Sequence, residues 1–428
     1  MTAKPGDRVK VTTSDQEIEG TLMPEEKEFV VLKMDTGYNL GLDKKRVREI
    51  SPISHAQTPE KAKLMPPEPK EGLPKITILH TGGTIASKVD YTTGGVVARF
   101  KPEEILEMFP ELREIANIDS RLVSNMFSED MRFGHYNVLA HEVRKEIEKG
   151  ADGIIITHGT DTLHYTAAAL SFMLPDLGTP VILVGAQRSS DRGSSDAALN
   201  LLSAAHFISA HKEFAEVAIC MHETEQDTTC LILPGTKSRK MHSSRRDAFK
   251  PINTEAWARV DFRAKKVEFL HTGYNKRKGK IPEVREFKEN LEIGFFKAHP
   301  NMYADEILAY KGYDGLIIEG TGLGHISINE IDKHTKENTA IYTAIKELIT
   351  AGTLVAMTTQ TIYGEIDMNV YSTGRKLLDI GVLGNYCDMT PETAYVKLAW
   401  LLSNYPKHKA QELYSQNISG EISKKLEK

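Results

Sequence analysis

Two stretches of this chain have the composition of chemistry. The apolar run Ile76–Leu79 passes His80 and gives way to Thr81-Gly82-Gly83-Thr84-Ile85-Ala86. Further on, Ile154-Ile155-Ile156 runs into Thr157-His158-Gly159-Thr160-Asp161-Thr162. Each reads as a buried strand emptying into a glycine turn that presents a hydroxyl. A Gly-Gly turn lets the backbone approach a ligand and frees N–H groups to hold an oxyanion, which places Thr84 for attack on a carbonyl. Two threonines at strand ends, one beside a carboxylate, point to nucleophilic catalysis by a hydroxyl. Such a hydroxyl needs a base, and a lysine whose pKa is lowered by burial or by its neighbours can serve. Thr236-Lys237-Ser238-Arg239-Lys240 supplies candidates. Ser128-Glu129-Asp130-Met131 pairs a hydroxyl with carboxylates, a set able to hold the charged groups of an amino acid. Each fragment also has an ordinary reading. The glycine turn is then only a turn, Asp161 a helix N-cap, the basic loop a solvated surface and Ser128 a helix start.

These residues need elements to hold them. After residue 75 strand and helix patterns alternate. Strands are predicted at Ile76–His80, Gly153–Thr157, Pro180–Gly185 and Glu216–Met221, and helices at His135–Lys149, Asp161–Leu174 and Ser195–Ala210. Arg239–Pro251 is polar and reads as a loop. A further α/β unit starts near Ile293, with strands at Gly315–Ile318 and Leu354–Thr358 and a helix at Thr339–Ala351. A last helix spans Pro391–Ser403, with Thr390 as N-cap. This alternation implies an α/β fold with mostly parallel sheets covered by helices. In open sheets of that kind ligands bind at the carboxyl ends of strands, where both threonine motifs fall. The first fifty residues differ. Short strands around Asp7–Val11, Ile18–Leu22, Phe29–Met34 and Leu40–Leu42 suggest a small β-barrel. The expected division is a barrel over residues 1–50, a proline-rich linker over 51–74, a first catalytic unit over 75–290 and a second unit over 291–428.

Composition excludes several classes. With 428 residues and a formal net charge of -5, the chain has no basic surplus for wrapping nucleic acid by itself. The stretch Met1–Gly6 has no apolar h-region, so no signal peptide is expected, and no apolar run reaches membrane-spanning length. Cys220, Cys230 and Cys387 lack paired metal spacing and suit a reducing, cytoplasmic setting. His158 and His164 fit no zinc spacing, so no metal is expected. Gly320-Thr321-Gly322-Leu323-Gly324 follows a strand but lacks the dinucleotide spacing, and no P-loop for ATP is present.

Taken together and in order, the two strand-end motifs resemble the signatures of the L-asparaginase/glutaminase family. The resemblance covers residue 75 to the C-terminus. It implies an asparaginase-like two-domain catalytic unit in which Thr84 attacks the side-chain amide carbon and Tyr91 orients its hydroxyl. Thr160, Asp161 and Lys240 would form a proton-relay triad, and Ser128, Glu129 and Asp161 would bind the α-carboxylate and α-amino groups. Gly185-Ala186-Gln187-Arg188 resembles the strand end after the second motif, and Lys240 precedes Phe249-Lys250-Pro251-Ile252-Asn253 as the family's lysine does. Tyr91-Thr92-Thr93-Gly94-Gly95 has the composition of a gating lid. A barrel and a proline-rich strap ahead of this unit are similar to the glutaminase, or D-type, subunits of archaeal glutamyl-tRNA(Gln) amidotransferases. That likeness implies glutamine as substrate, and the asparaginase-like fold implies a homodimer core built on the catalytic units. The likeness to D-type subunits also implies a partner, the E-type subunit, which binds the tRNA and uses ATP and Mg, with no cofactor in this chain. His325 replaces an asparagine common in asparaginases, with Glu365 as the matching acid, a change that bears on the choice between asparagine and glutamine. The alternatives are a free-standing L-asparaginase with an accessory barrel and a non-catalytic binding protein.

Overall fold

The computed structural model describes residues 3–24, 27–35, 39–55, 68–83, 85, 87–89, 96–98, 102–188 and 194–424. Its first unit is a five-stranded antiparallel sheet of β1 (Arg8–Thr13), β2 (Glu17–Leu22), β3 (Phe29–Lys33), β4 (Asn39–Asp43) and β5 (Val47–Ser54). The order is β4-β3-β2-β1-β5. Leu42 from one edge strand and Val47 and Ile50 from the other pack on the same core of Val9, Val11, Val30 and Leu32. Both edges of the sheet therefore serve one small core, and the sheet must curl strongly to bring them there. Alternation made four of these strands legible. The fifth was missed and runs past residue 50 to Ser54, because Pro52 reads as a linker residue yet is tolerated on an edge strand.

The catalytic scaffold begins with β6 (Lys75–His80), the short pair β7 (Ser87–Val89) and β8 (Val96–Ala98), and β9 (Asn117–Leu122). It continues through β10 (Gly153–Thr157), β11 (Val181–Val184), β12 (Val217–His222) and β13 (Cys230–Pro234). Next come the hairpin β14 (Ser238–Lys240) and β15 (Phe249–Pro251), then β16 (Ala258–Asp261) and β17 (Lys266–Phe269). Eight of these form one sheet in the order β17-β16-β13-β12-β11-β10-β6-β9. The pairs from β12 to β9 are parallel and those from β13 outward are antiparallel. The central strands are apolar on both faces because helices cover both. On one face lie α1 (Pro102–Met108) and α4 (Ala197–Ala210), and on the other α2 (Phe133–Glu148) and α3 (Leu163–Met173).

The second unit is a parallel sheet of β18 (Ile293–Lys297), β19 (Gly315–Gly320) and β20 (Leu354–Thr359), in that order. Its helices are α5 (Ala304–Leu308), α6 (Glu337–Thr350), α7 (Ser372–Asp379), α8 (Pro391–Asn404) and α9 (Lys407–Tyr414). Thr390 caps α8 as expected, its side chain accepting from Thr393 N. The two units share a core: α8 packs on α3, with Phe172 stacked on Trp400 at a centroid distance of 5.5 Å. Among the described residues no helix is long and apolar enough to cross a membrane.

Candidate active site

The register of the large sheet puts the two motifs side by side. His80 pairs with Thr157 at the ends of β6 and β10, so both chains leave the same carboxyl edge together. Thr81 N and Oγ1 both donate to Thr157 O, at 3.1 and 3.0 Å. Beneath them His80 bridges Thr157 and Ser120, and His158 bonds Thr166. Burial pushes both imidazoles down to about 4, so they are neutral polar struts at pH 7. Gly82 and Gly83 turn the chain at φ +118° and +79°. A Cβ on Gly83 would lie 3.0 Å from Gly159 N, and one on Gly159 would lie 2.9 Å from Ser128 Cβ. Three loops therefore meet backbone to backbone, which explains the glycines at these points.

The second loop brings its polar groups to Lys240. Lys240 Nζ donates to Thr160 Oγ1 at 2.9 Å and to Asp161 Oδ1 at 2.6 Å. The lysine side chain is 10% exposed and the aspartate 65% exposed, so the group is anchored inside and open toward solvent. Asp161 does not cap α3, as one reading of the sequence had it. The helix starts at Leu163 after Thr162, whose hydroxyl donates to Ser128 O. The Lys240 segment is also not a loop: Ser238–Lys240 and Phe249–Pro251 form a hairpin with Lys240 opposite Phe249. Polar residues filled this hairpin, and three-residue strands carry too little alternation to register.

Ser128 is buried and Glu129 exposed, in the short 3-10 turn Ser128–Asp130 that ends before α2. Thr162 joins that turn to the Thr160–Asp161 loop, so Ser128, Glu129 and Asp161 share one edge of the site. Thr84, Ala86 and Tyr91–Gly95 lie outside the described residues. Their neighbours Gly83 and Ile85 are described, and Ile85 is buried. His325 stands elsewhere, in the turn closed by Thr321 and His325, with its ring against Tyr371 at 5.3 Å. Gly320–Gly324 is that turn. Glu365 is half-buried beside the exposed Gly364, whose backbone is clamped by Asn253.

Several supporting residues carried no signal as site residues. Gln187 Oε1 lies 3.5 Å from Thr160 Oγ1. The fully buried Asp196 accepts the N–H groups of Gln187 and Arg188, fixing that strand end. Arg239 Nε pairs with Glu392 Oε1 at 2.9 Å. Burial raises the Glu392 carboxyl above its ordinary range against the pull of Arg239. Beside it, burial and then the Arg239 and Lys240 charges hold His164 down to about 3. Gln187 and Arg239 stand inside motifs the sequence singles out, though neither carries a role there. Nothing in the sequence singles out Asp196 or Glu392, and Arg239 reads as part of a solvated basic loop. A cavity of about 630 Å³ lies next to the site, behind Met131 and Thr162, walled by Tyr165, Phe295 and Tyr395. It contains none of Thr160, Asp161 and Lys240. Among the described residues no group of three or more His, Cys, Asp or Glu could hold a metal ion.

With this geometry in hand, comparisons place the chain among known proteins. Residues 75–273 match the family "Asparaginase, N-terminal" and residues 292–413 the "Glutaminase/Asparaginase C-terminal domain". Residues 3–53 match the "GatD N-terminal domain". The chain is 46% identical to the D-type subunit of glutamyl-tRNA(Gln) amidotransferase of Pyrococcus furiosus, over 97% of this chain and 93% of that one. It is 44% identical to the same subunit of Methanococcus maripaludis, over 98% of both. Among solved structures, the thermostable L-asparaginase from Thermococcus kodakarensis superposes with a TM-score of 0.71 at 29% identity. That match covers 82% of this chain and 99% of the other.

Proposed function

The chain belongs to the family of D-type subunits of glutamyl-tRNA(Gln) amidotransferase, and from that premise we propose that it is the glutaminase component of a tRNA-dependent amidotransferase. It hydrolyses the side-chain amide of glutamine. The ammonia passes to a partner, the E-type subunit, which binds tRNA and uses ATP and Mg to convert Glu-tRNA(Gln) to Gln-tRNA(Gln). A homodimer core and a cytoplasmic setting belong to the same proposal, the latter supported by three free cysteines.

One observation carries the reading: Lys240 Nζ bonded at once to Thr160 Oγ1 and Asp161 Oδ1, beside a glycine turn. In the proposed reaction Thr84 Oγ attacks the amide carbon, with Tyr91 orienting it. The hydroxyl proton travels through Thr160, Asp161 and Lys240 to the departing nitrogen, and ammonia leaves. Water then cleaves the acyl ester, releasing glutamate and restoring the Thr84 hydroxyl. The N–H groups of the glycine turn are suited to the oxyanion. Glu129 and Asp161 hold the substrate ammonium and Ser128 its carboxylate.

The test is ammonia release from glutamine and asparagine by the chain alone, then with its partner and charged tRNA. The proposal expects slow turnover alone and faster glutamine turnover in the assembly. Fast asparagine hydrolysis by the isolated chain would identify a free-standing asparaginase instead.

A further inference from the structure

The strand that delivers Lys240 is gripped from outside its own unit. Thr393 Oγ1 donates to Thr236 O at 2.8 Å, and Thr236 Oγ1 donates to Ser419 O at 3.2 Å. Lys237 Nζ donates to Asp388 Oδ2 at 2.5 Å and to Ser423 Oγ at 2.7 Å. The side chains of that ion pair are only 4% and 2% exposed. Ser423 N returns a bond to Asp388 Oδ1 at 3.0 Å. Glu421, two residues before it, is locked to Lys397 at 2.5 Å with both side chains fully buried. Arg239 reaches Glu392. All these partners come from the second unit, while Lys240 Nζ reaches back to Thr160 and Asp161 of the first.

Strand geometry explains the division. On β14 successive side chains point to opposite faces, so Arg239 turns to Glu392 of the second unit and Lys240 to the catalytic loop, while Lys237, the residue just ahead of the strand, is tied to Asp388. A buried ion pair is weak evidence for stability, because desolvating two charges costs about what their attraction returns. What the buried Lys237–Asp388 pair just ahead of the strand and the partly buried Arg239–Glu392 pair on it do supply is a fixed position for the strand.

We propose that Asp388 and Glu392 are positioning residues for Lys240. Through Lys237 and Arg239 they fix the strand whose other face presents Nζ to Thr160 and Asp161. The inference rests on the reading of Lys240 as a member of the proton relay. Displacing a reacting group by about 1 Å can cost on the order of a hundredfold in rate.

The test compares two variants with wild type, each assembled with its partner and charged tRNA. Glu392→Gln keeps the shape and removes the charge. The pair Lys237→Met with Asp388→Leu removes both buried charges together, so no unpaired charge is left inside. Expected is a fall in kcat for ammonia release of at least about tenfold, with KM changed by less than about twofold and Tm near wild type. Arg239→Lys, which keeps the cation opposite Glu392, should retain most of kcat. Unchanged kcat in both variants overturns the proposal. So does a loss that tracks a lowered Tm and a raised KM, which would make these contacts merely structural. A wild-type assembly that releases no ammonia overturns the functional reading and this inference with it, whereas active wild type with unimpaired variants overturns the inference alone.

Discussion

At the scale of single residues, the site depends on one amine serving two oxygens. Lys240→Leu has nearly the same bulk and no donor, so Thr160 and Asp161 lose their shared partner. We expect glutamine hydrolysis to fall by about a thousandfold or more, with the unfolding midpoint little changed. Unaltered turnover would remove Lys240 from the relay. The residues that brace this group behave differently. Asp196 is entirely buried and spends both carboxylate oxygens on backbone N–H groups, so it shapes the loop without touching the amine. Such a residue looks, in sequence, like any acid before a helix, and only its partners reveal what it does.

At the scale of elements, the first motif is a strand end whose turn admits no side chain. A Cβ on Gly82 would lie 2.2 Å from Met126 O, and the residue has φ +118°. Gly82→Ala should destabilise the protein by about 2 kcal/mol or more in chemical denaturation and depress activity. Gly150 provides the control. Its φ is +82° but nothing lies within 4 Å of its Cβ position. Gly150→Ala should therefore cost only the left-handed backbone penalty, about 1 kcal/mol, with activity intact. Equal costs at the two positions would show that backbone conformation alone, not the contact with Met126, selects glycine at Gly82.

At the scale of the whole molecule, buried titratable groups couple the fold to pH. Burial lowers the pKa of His80 and His158 to about 4 and that of His164 to about 3. The unfolded chain binds protons at these sites below its ordinary value of about 6.5, whereas the folded protein does not until far lower. Their contribution is therefore present in full above that value and lost as pH falls through it toward 4, each by up to about 1.4 kcal/mol per pH unit. Glu216, raised by burial to about 7, and Glu392, raised in the same way, act in the opposite sense. Denaturation curves between pH 7 and 4 should show a net loss of stability on acidification. A profile that stays flat when Glu216 is replaced by Gln, so that its opposing contribution is removed, would mean that these histidines are protonated in the folded protein.

The sequence alone determined the nature of the chemistry and the elements that carry it. Apolar runs stopping at Thr81–Thr84 and Thr157–Thr162 are local patterns, set by strand burial and by glycine's freedom to turn, and they need no knowledge of distant partners. The same holds for the alternation of strands and helices and for the Thr390 cap. Tertiary structure alone decided what stands behind those motifs. Lys240 lies on a hairpin rather than in a loop, Asp161 serves the lysine and not α3, and Lys237 and Arg239 face the second unit. The contacts that settle this join segments far apart in the chain, 80 positions for Lys240 with Thr160 and 151 for Lys237 with Asp388. Charged residues have no preferred local conformation that would announce a buried partner. Their roles are fixed only when two units close on each other and every buried charge must find its counter-charge.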